Sequence, residues 1–237
     1  MKKLFKKLYK KNATSFYQDL KKALIQEKKK FIVTANPETM MIANNDIEFN
    51  RLLLDDNTIM VPDGVGIVKA TKMLGYDIKE RITGVDIAEK LLEYGNELEK
   101  TICILGSKQE VIDALKVVFK RKYPNLKVAV TLNGYSKNKD KDFEEIIKAK
   151  PDIVLVALGM GNQEKLIYKH LDNFKKGIFV GVGGSLDVLS GIKKRAPKIF
   201  IKLNLEWLYR ICMEPKRIKR FYNNNIKFIL KVKKMTK

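Results

Sequence analysis

Histidine and sulfur are scarce in this chain: one histidine and two cysteines occur among 237 residues. Cys103 and Cys212 lie far apart, and Cys103 sits in an apolar run. Free thiols in a reducing compartment are therefore expected, not a disulfide framework. No set of His, Cys and carboxylates has zinc-ligand spacing. His170 lies mid-helix with no Ser or Cys elbow to serve, so a structural or exposed role is expected for it. A Gly-Lys-Ser/Thr phosphate loop is absent. Gly159-Met160-Gly161 lacks the third glycine of a dinucleotide fingerprint, with Glu164 in its place, which argues against a nicotinamide cofactor. No apolar run reaches the roughly 18 residues of a spanning helix. The basic N-terminus is not followed by the apolar stretch and cleavage site of a secretory leader. A cytoplasmic protein is expected.

Acidic residues are scarce only at the ends. Residues 1–30 carry 11 Lys and 2 acids, and residues 193–237 carry 15 Lys and Arg against 2 acids. The stretch between holds 22 basic and 23 acidic groups, so most of the net charge of +21 lies on the two ends. A near-neutral body with basic ends implies an anionic partner, a membrane surface or a nucleic acid, met by the ends. Solvated tails without a partner are the bland alternative.

Leu4, Phe5 and Leu8, then Phe16, Leu20 and Leu24, have helical spacing, so residues 1–30 read as basic helical pieces that lie on an anionic surface or pack on the body. From Phe31, short apolar runs alternate with amphipathic ones. Strands are expected at Phe31 to Ala35, Thr58 to Val61, Thr101 to Leu105, Lys127 to Leu132, Ile153 to Leu158 and Gly177 to Val182. Helices are expected at Pro37 to Leu54, Val65 to Leu74, Val85 to Leu98, Glu110 to Tyr123, Phe143 to Lys148 and Gln163 to Asn173. Strands without strict alternation are covered on both faces, and the order predicts an α/β protein with a mostly parallel, doubly wound sheet over residues 1–192. Residues 193–237 form an appendage, with helices predicted over Ile199 to Met213 and Ile218 to Val232. In the second, Ile218, Phe221, Tyr222, Phe228, Ile229 and Val232 share a face amid basic residues. That is the pattern of an interfacial membrane helix; packing of the face on the body is the alternative.

Polar residues and glycines cluster where each predicted strand ends: Thr34 and Asn36; Asp63; Gly106; Gly134 and Tyr135; Gly159 to Glu164; Gly183, Gly184 and Asp187. In a parallel sheet these ends share the edge where ligands bind, and glycines there let backbone N–H groups approach phosphate. Asp63, between Pro62 and Gly64, has the placement of a general base, although it could equally cap the following helix. Asp140-Lys141-Asp142 has a metal-binding D-x-D form, but its place before a helix favours capping, and no metal is expected.

These stretches stand in an order that resembles the WecG/TagA/CpsF family of bacterial glycosyltransferases over roughly residues 30–225. The carriers are Thr34 to Glu38, Pro62 to Gly66, Glu80 to Asp86, Gly134-Tyr135, Gly159 to Glu164 and Gly183 to Asp187, then Ser190-Gly191, Arg195 to Pro197, Leu205 to Arg210 and Glu214 to Arg217. Gly161-Asn162 departs from the Pro-Lys that many members have there. The resemblance implies a Rossmann-like enzyme that transfers an N-acetylmannosamine-type sugar, with inversion, from a UDP donor to polyprenyl-diphosphate-linked N-acetylglucosamine, for wall teichoic acid or related surface polymers. It implies Asp63 as base and Thr34, Asn36, Arg81 and Gln163 in the pocket. The appendage, with Arg210, Arg217 and Arg220, would close the site and meet the lipid diphosphate on the inner face of the membrane. Homo-oligomers fit this reading. Its rivals are a nucleic-acid-binding protein using the basic ends, which the acidic Asp63 cleft argues against, and a noncatalytic sugar-nucleotide-binding module.

Overall fold

The computed structural model describes residues 1–236, with the side chains of Arg217 and Arg220 outside the description. Two helices, α1 (Lys2–Lys7) and α2 (Ala13–Ile25), lead into β1 (Lys29–Ala35). Then follow α3 (Pro37–Asn45), α4 (Ile47–Leu54), β2 (Thr58–Pro62), α5 (Val65–Met73), α6 (Gly84–Glu97) and β3 (Thr101–Gly106). The chain continues through α7 (Gln109–Lys122), β4 (Lys127–Leu132), α8 (Lys139–Ala149), β5 (Ile153–Ala157), α9 (Asn162–His170), β6 (Gly177–Gly181) and α10 (Ser185–Leu189). The appendage comprises α11 (Lys198–Lys202), α12 (Glu206–Met213), α13 (Arg217–Phe221), a π-helical turn at Tyr222–Ile226 and α14 (Lys227–Met235).

All strand pairs are parallel, in the order β2-β1-β6-β5-β3-β4. Side chains alternate across this sheet. Phe31, Val33, Cys103, Val154 and Phe179 enter one core, with α1, α3, α4, α5, α8, α9 and α14. Ile32, Ile102, Ile104, Leu155 and Val180 enter the other, with α2, α6, α7 and α10. The predicted strands are present within one or two residues, as a doubly wound α/β fold requires.

The helices differ more. The expected Pro37 to Leu54 helix is two, because the Asp46 side chain accepts from the Phe49 N–H and starts a new one. Asn138, not a carboxylate of the D-x-D triplet, caps α8. Asp140 instead accepts from Lys169 and pairs with His170 at 2.7 Å, and the His170 ring stacks on Phe143, a structural role as expected.

Both chain ends pack on the body. Leu4, Phe5 and Leu8 of the first segment are buried on one sheet face, and Phe16, Leu20 and Leu24 on the other. The final helix departs from the interfacial pattern: Phe228 and Val232 are fully buried, with the Phe228 ring 6.2 Å from Phe5. Residues 217–235 thus belong in part to the core, while Ile218 and Tyr222 of the same sequence face remain exposed. The expected Ile199 to Met213 helix breaks at Asn204, whose φ of 59° reverses the chain, and the Leu205 N–H donates back to the Phe200 carbonyl.

Candidate active site

The helices leaving β1 and β6 lie on opposite faces of the sheet, α3 on the first and α10 on the second, which opens a crevice at the carboxyl ends of these neighbouring strands. Asp63 stands beside it. Its N–H donates to the Ala35 carbonyl at 2.9 Å, extending the ladder one residue past β2. The Pro62 carbonyl accepts from the Ile82 N–H at 2.7 Å, so the segment carrying Arg81 lies alongside.

Asp63 does not cap α5. The cap position belongs to Gly64, at a φ of 85° that disfavours other residues, and no side chain accepts there. Among the described residues the Asp63 carboxylate makes no hydrogen bond or ion pair, and the residue remains partly accessible to solvent. Its carboxyl nevertheless lies deep among protein atoms. Burial raises its pKa to about 6, opposed by the nearby charges of Arg210 and Arg81 and assisted by Glu206 and Asp86. A desolvated carboxylate with no structural partner is chemically available.

Two of these neighbours come from the appendage. Arg81 Nη1 pairs with Glu206 Oε2 at 2.7 Å, and both side chains are largely buried. Arg81 Nη2 donates to the Ile201 carbonyl at 3.2 Å. Glu206 and Arg210 are one turn apart on α12 and share a face. Arg210 itself is exposed. The side chains of Arg217 and Arg220, which the sequence assigned to the same task, lie outside the described residues.

Thr34 is buried at the end of β1, its carbonyl accepting from Thr39 Oγ1 at 3.1 Å. Asn36 does a structural job as well: its side chain accepts from the Thr39 N–H and forms a capping box that starts α3.

Gln163 and Glu164 form a buried brace across the ends of β5 and β6. Gln163 Nε2 donates to Glu164 Oε1 at 2.7 Å, and Gln163 Oε1 accepts from the Gly183 N–H at 3.1 Å. Glu164 Oε2 accepts from the Gly161 N–H at 2.7 Å, and burial raises the pKa of this acid. Gly159 and Gly161, at φ near 90°, turn the loop so that this is possible. The brace lies flat on Gly181, where an added Cβ would come within 2.5 Å of Gln163 Nε2 and 2.7 Å of Glu164 Oε1. Gly181→Ala is therefore expected to destabilise the protein by about 1–3 kcal/mol, as overpacking does. Urea unfolding measures this, and an unchanged midpoint would refute the brace.

The remaining sequence candidates lie farther along the row. Asp187 accepts from Ser107 Oγ at 2.8 Å and pairs with Lys193, tying the end of β3 to α10. Gly106 allows the close approach of β5, since a Cβ there would lie 2.2 Å from the Ala157 carbonyl oxygen. Gly184 is the N-cap of α10. Gly134 packs on Ser107, and exposed Tyr135 lines a hollow of about 310 Å³ with Leu132, Asn133, Ser136 and Asp142. That hollow is at the β4 edge and Asp63 at the β2 edge, five strand spacings or about 24 Å apart. The candidates thus divide between a cluster around Asp63 and a separate group at the far edge.

Sequence reasoning assigned no role to Glu206. The signal was present: Glu206 and Glu214 are the only acids after residue 192, and both pair with basic residues of the preceding chain, Arg81 and Lys193.

An α/β protein with a free, desolvated carboxylate at the carboxyl edge of its sheet, faced by arginines, has the layout of a group-transfer enzyme. The chain belongs to the glycosyl transferase WecG/TagA/CpsF family, whose family model matches residues 5–237, and it is a glycosyltransferase. Similar curated proteins bear the name N-acetylglucosaminyldiphosphoundecaprenol N-acetyl-beta-D-mannosaminyltransferase. The one from Bacillus subtilis (strain 168) is 39% identical over 210 residues, covering 88% of this chain and 82% of its own. The one from Staphylococcus aureus (strain MW2) is 38% identical over 205 residues, covering 86% and 80%.

Proposed function

We propose that this enzyme transfers N-acetylmannosamine from UDP-N-acetylmannosamine to the N-acetylglucosamine of a polyprenyl-diphosphate-linked acceptor, as a step toward wall teichoic acid or a related polymer. The acceptor and transferred sugar follow from the names of the similar proteins. The observation that carries the mechanism is the Asp63 carboxylate, free of structural partners and desolvated beside Arg81 and Arg210.

In a single displacement the acceptor hydroxyl oxygen bonds to the anomeric carbon as the bond from that carbon to the UDP oxygen breaks, inverting the centre. Asp63 takes the hydroxyl proton. Negative charge accumulates on the leaving diphosphate, and Arg81 and Arg210 supply the opposing charge in place of a metal. Gln163 and Glu164 hold the glycine loops whose N–H groups line the same edge.

The lipid end of such an acceptor requires a membrane surface. No helix among the described residues is long and apolar enough to cross one. Eight exposed large apolar residues occur between Ile192 and Leu230, among them Ile199, Leu203, Met213 and Ile218, in a segment rich in lysine and arginine. That composition supports peripheral attachment to an anionic leaflet on the cytoplasmic side, where each basic residue contributes about 1 kcal/mol. Sedimentation with anionic vesicles, set against a gel shift on random DNA, separates this from nucleic-acid binding.

The decisive experiment is a screen of UDP-sugars against a polyprenyl-diphosphate-N-acetylglucosamine analogue, with N-acetylmannosamine expected to transfer fastest. Failure of every donor would sink the reading. The pH dependence follows from Asp63: a base must be ionised, so kcat/KM should fall about tenfold per pH unit below about 6. A flat profile from pH 5 to 8 would remove Asp63 from that role.

A further inference from the structure

We propose that Glu206 is a positioning residue: its ion pair with Arg81 pins α12 across the cleft and so sets Arg210 opposite Asp63. The inference rests on the glycosyl-transfer reading above and deepens it.

Three observations converge. First, α12 packs chiefly on its appendage neighbours α11 and α13 and has little broad contact with the sheet domain. Ion pairs near its two ends therefore tie it down, Arg81–Glu206 and Lys193–Glu214. The second is exposed, and such pairs contribute little. The first has side chains only 17% and 10% exposed, and removing one partner of so buried a pair leaves the other uncompensated.

Second, Arg81 is fixed from below. The Ile82 N–H that follows it is bonded to Pro62, the residue before Asp63, and its own guanidinium also donates to Ile201 of α11. Arg81 thus connects the catalytic loop to two appendage helices. Third, the four-residue spacing of Glu206 and Arg210 puts both on one face of α12. Once Glu206 is seated on Arg81, Arg210 is held toward Asp63, on whose carboxyl it acts more strongly than any other charge among the described residues. Among the described residues the charged groups facing Asp63 are then Arg210 and Glu206 from α12, Arg81 from the loop before α6, and Asp86 from α6 itself.

The test uses the full chain with Glu206→Ala, Arg210→Ala and the double variant, in hydrogen exchange and in sugar transfer. Glu206→Ala should speed amide exchange in residues 198–213 while the strands stay protected. Unchanged exchange there overturns the proposal, whether or not the assigned sugar chemistry is right. In transfer, Glu206→Ala should lower kcat about a hundredfold, the scale of a misplaced catalytic group, with donor KM within about threefold. Adding Arg210→Ala to Glu206→Ala should cost less than about threefold more, whereas alone it costs tenfold or more. Additive losses would show that Glu206 does not act through Arg210 and would overturn the proposal. Altered exchange together with undiminished transfer by Asp63→Asn would instead leave the pin in place and sink the base assignment.

Discussion

Asp63→Asn should lower sugar transfer by about a thousandfold or more while making the protein more stable. The kinetic loss follows from chemistry: an amide does not take a proton from the acceptor hydroxyl, and a positioned general base contributes about 10²–10⁴ in rate. Donor binding should hold within a few-fold, because the brace of Gln163 and Glu164 and the arginines are untouched. Near-normal turnover would end the assignment.

The stability gain comes from the same environment. Asp63 has a folded pKa of about 6 against an ordinary value of 3.8, so the folded state holds this proton more tightly than the unfolded chain does. The stability linked to that proton is complete below about pH 4 and is lost as pH rises through about 6. At pH 7.5 the ionised carboxylate therefore costs stability, on the order of 3 kcal/mol for a shift of this size. Neutral asparagine removes that cost, and Tm should rise by about 6–12 °C at pH 7.5, with little gain at pH 4. A calorimetric scan at the two pH values checks the sign. A variant that is both inactive and destabilised would mean that Asp63 is structural.

Phe228→Ala is the second large effect, expected to cost about 3–5 kcal/mol because it empties a fully buried aromatic site. The position is 21 residues beyond Trp207 of α12, yet its loss should reach the cleft through continuous helix. The chain from α13 through the π-helical turn into α14 has no break, and Phe221 stacks on Trp207 of α12 at 4.5 Å. Undocking α14 from Phe5 thus loosens the support of Glu206 and Arg210. Leu230→Ala, two residues along and 52% exposed, should change stability by less than about 0.5 kcal/mol. Urea unfolding of the pair measures the difference, and equal small effects would refute the docking. For the same reason, deletion of residues 193–237 is expected to damage the body itself, since it removes Phe228 and Val232 from the core.

What was legible in the chain was local. Apolar runs of four to six residues, each followed by a glycine or polar cluster, marked the six strands, because a strand buried on both faces leaves a signal in consecutive residues; β4, at the sheet edge, is the exception, with no fully buried residue. Asp63 stood out because proline and glycine flank it where a strand must end. The family motifs carried the reading further, since the same residues in the same order meet the same constraints.

Tertiary structure decided three things that spacing does not contain. It determined which strand ends lie together: Tyr135 and Asp63 both end strands, but the order β2-β1-β6-β5-β3-β4 puts them on opposite edges. It determined which face of the last helix turns inward, because an aromatic stripe fits a membrane and a core equally well until Phe5, 223 residues earlier, is found against Phe228. And it gave Asp63 its chemistry. A carboxylate's pKa follows from burial and from charges within a few ångströms, and Arg81, Glu206 and Arg210 reach it from segments scattered over 130 residues. A sequence records covalent neighbours, whereas desolvation and Coulomb forces act through space.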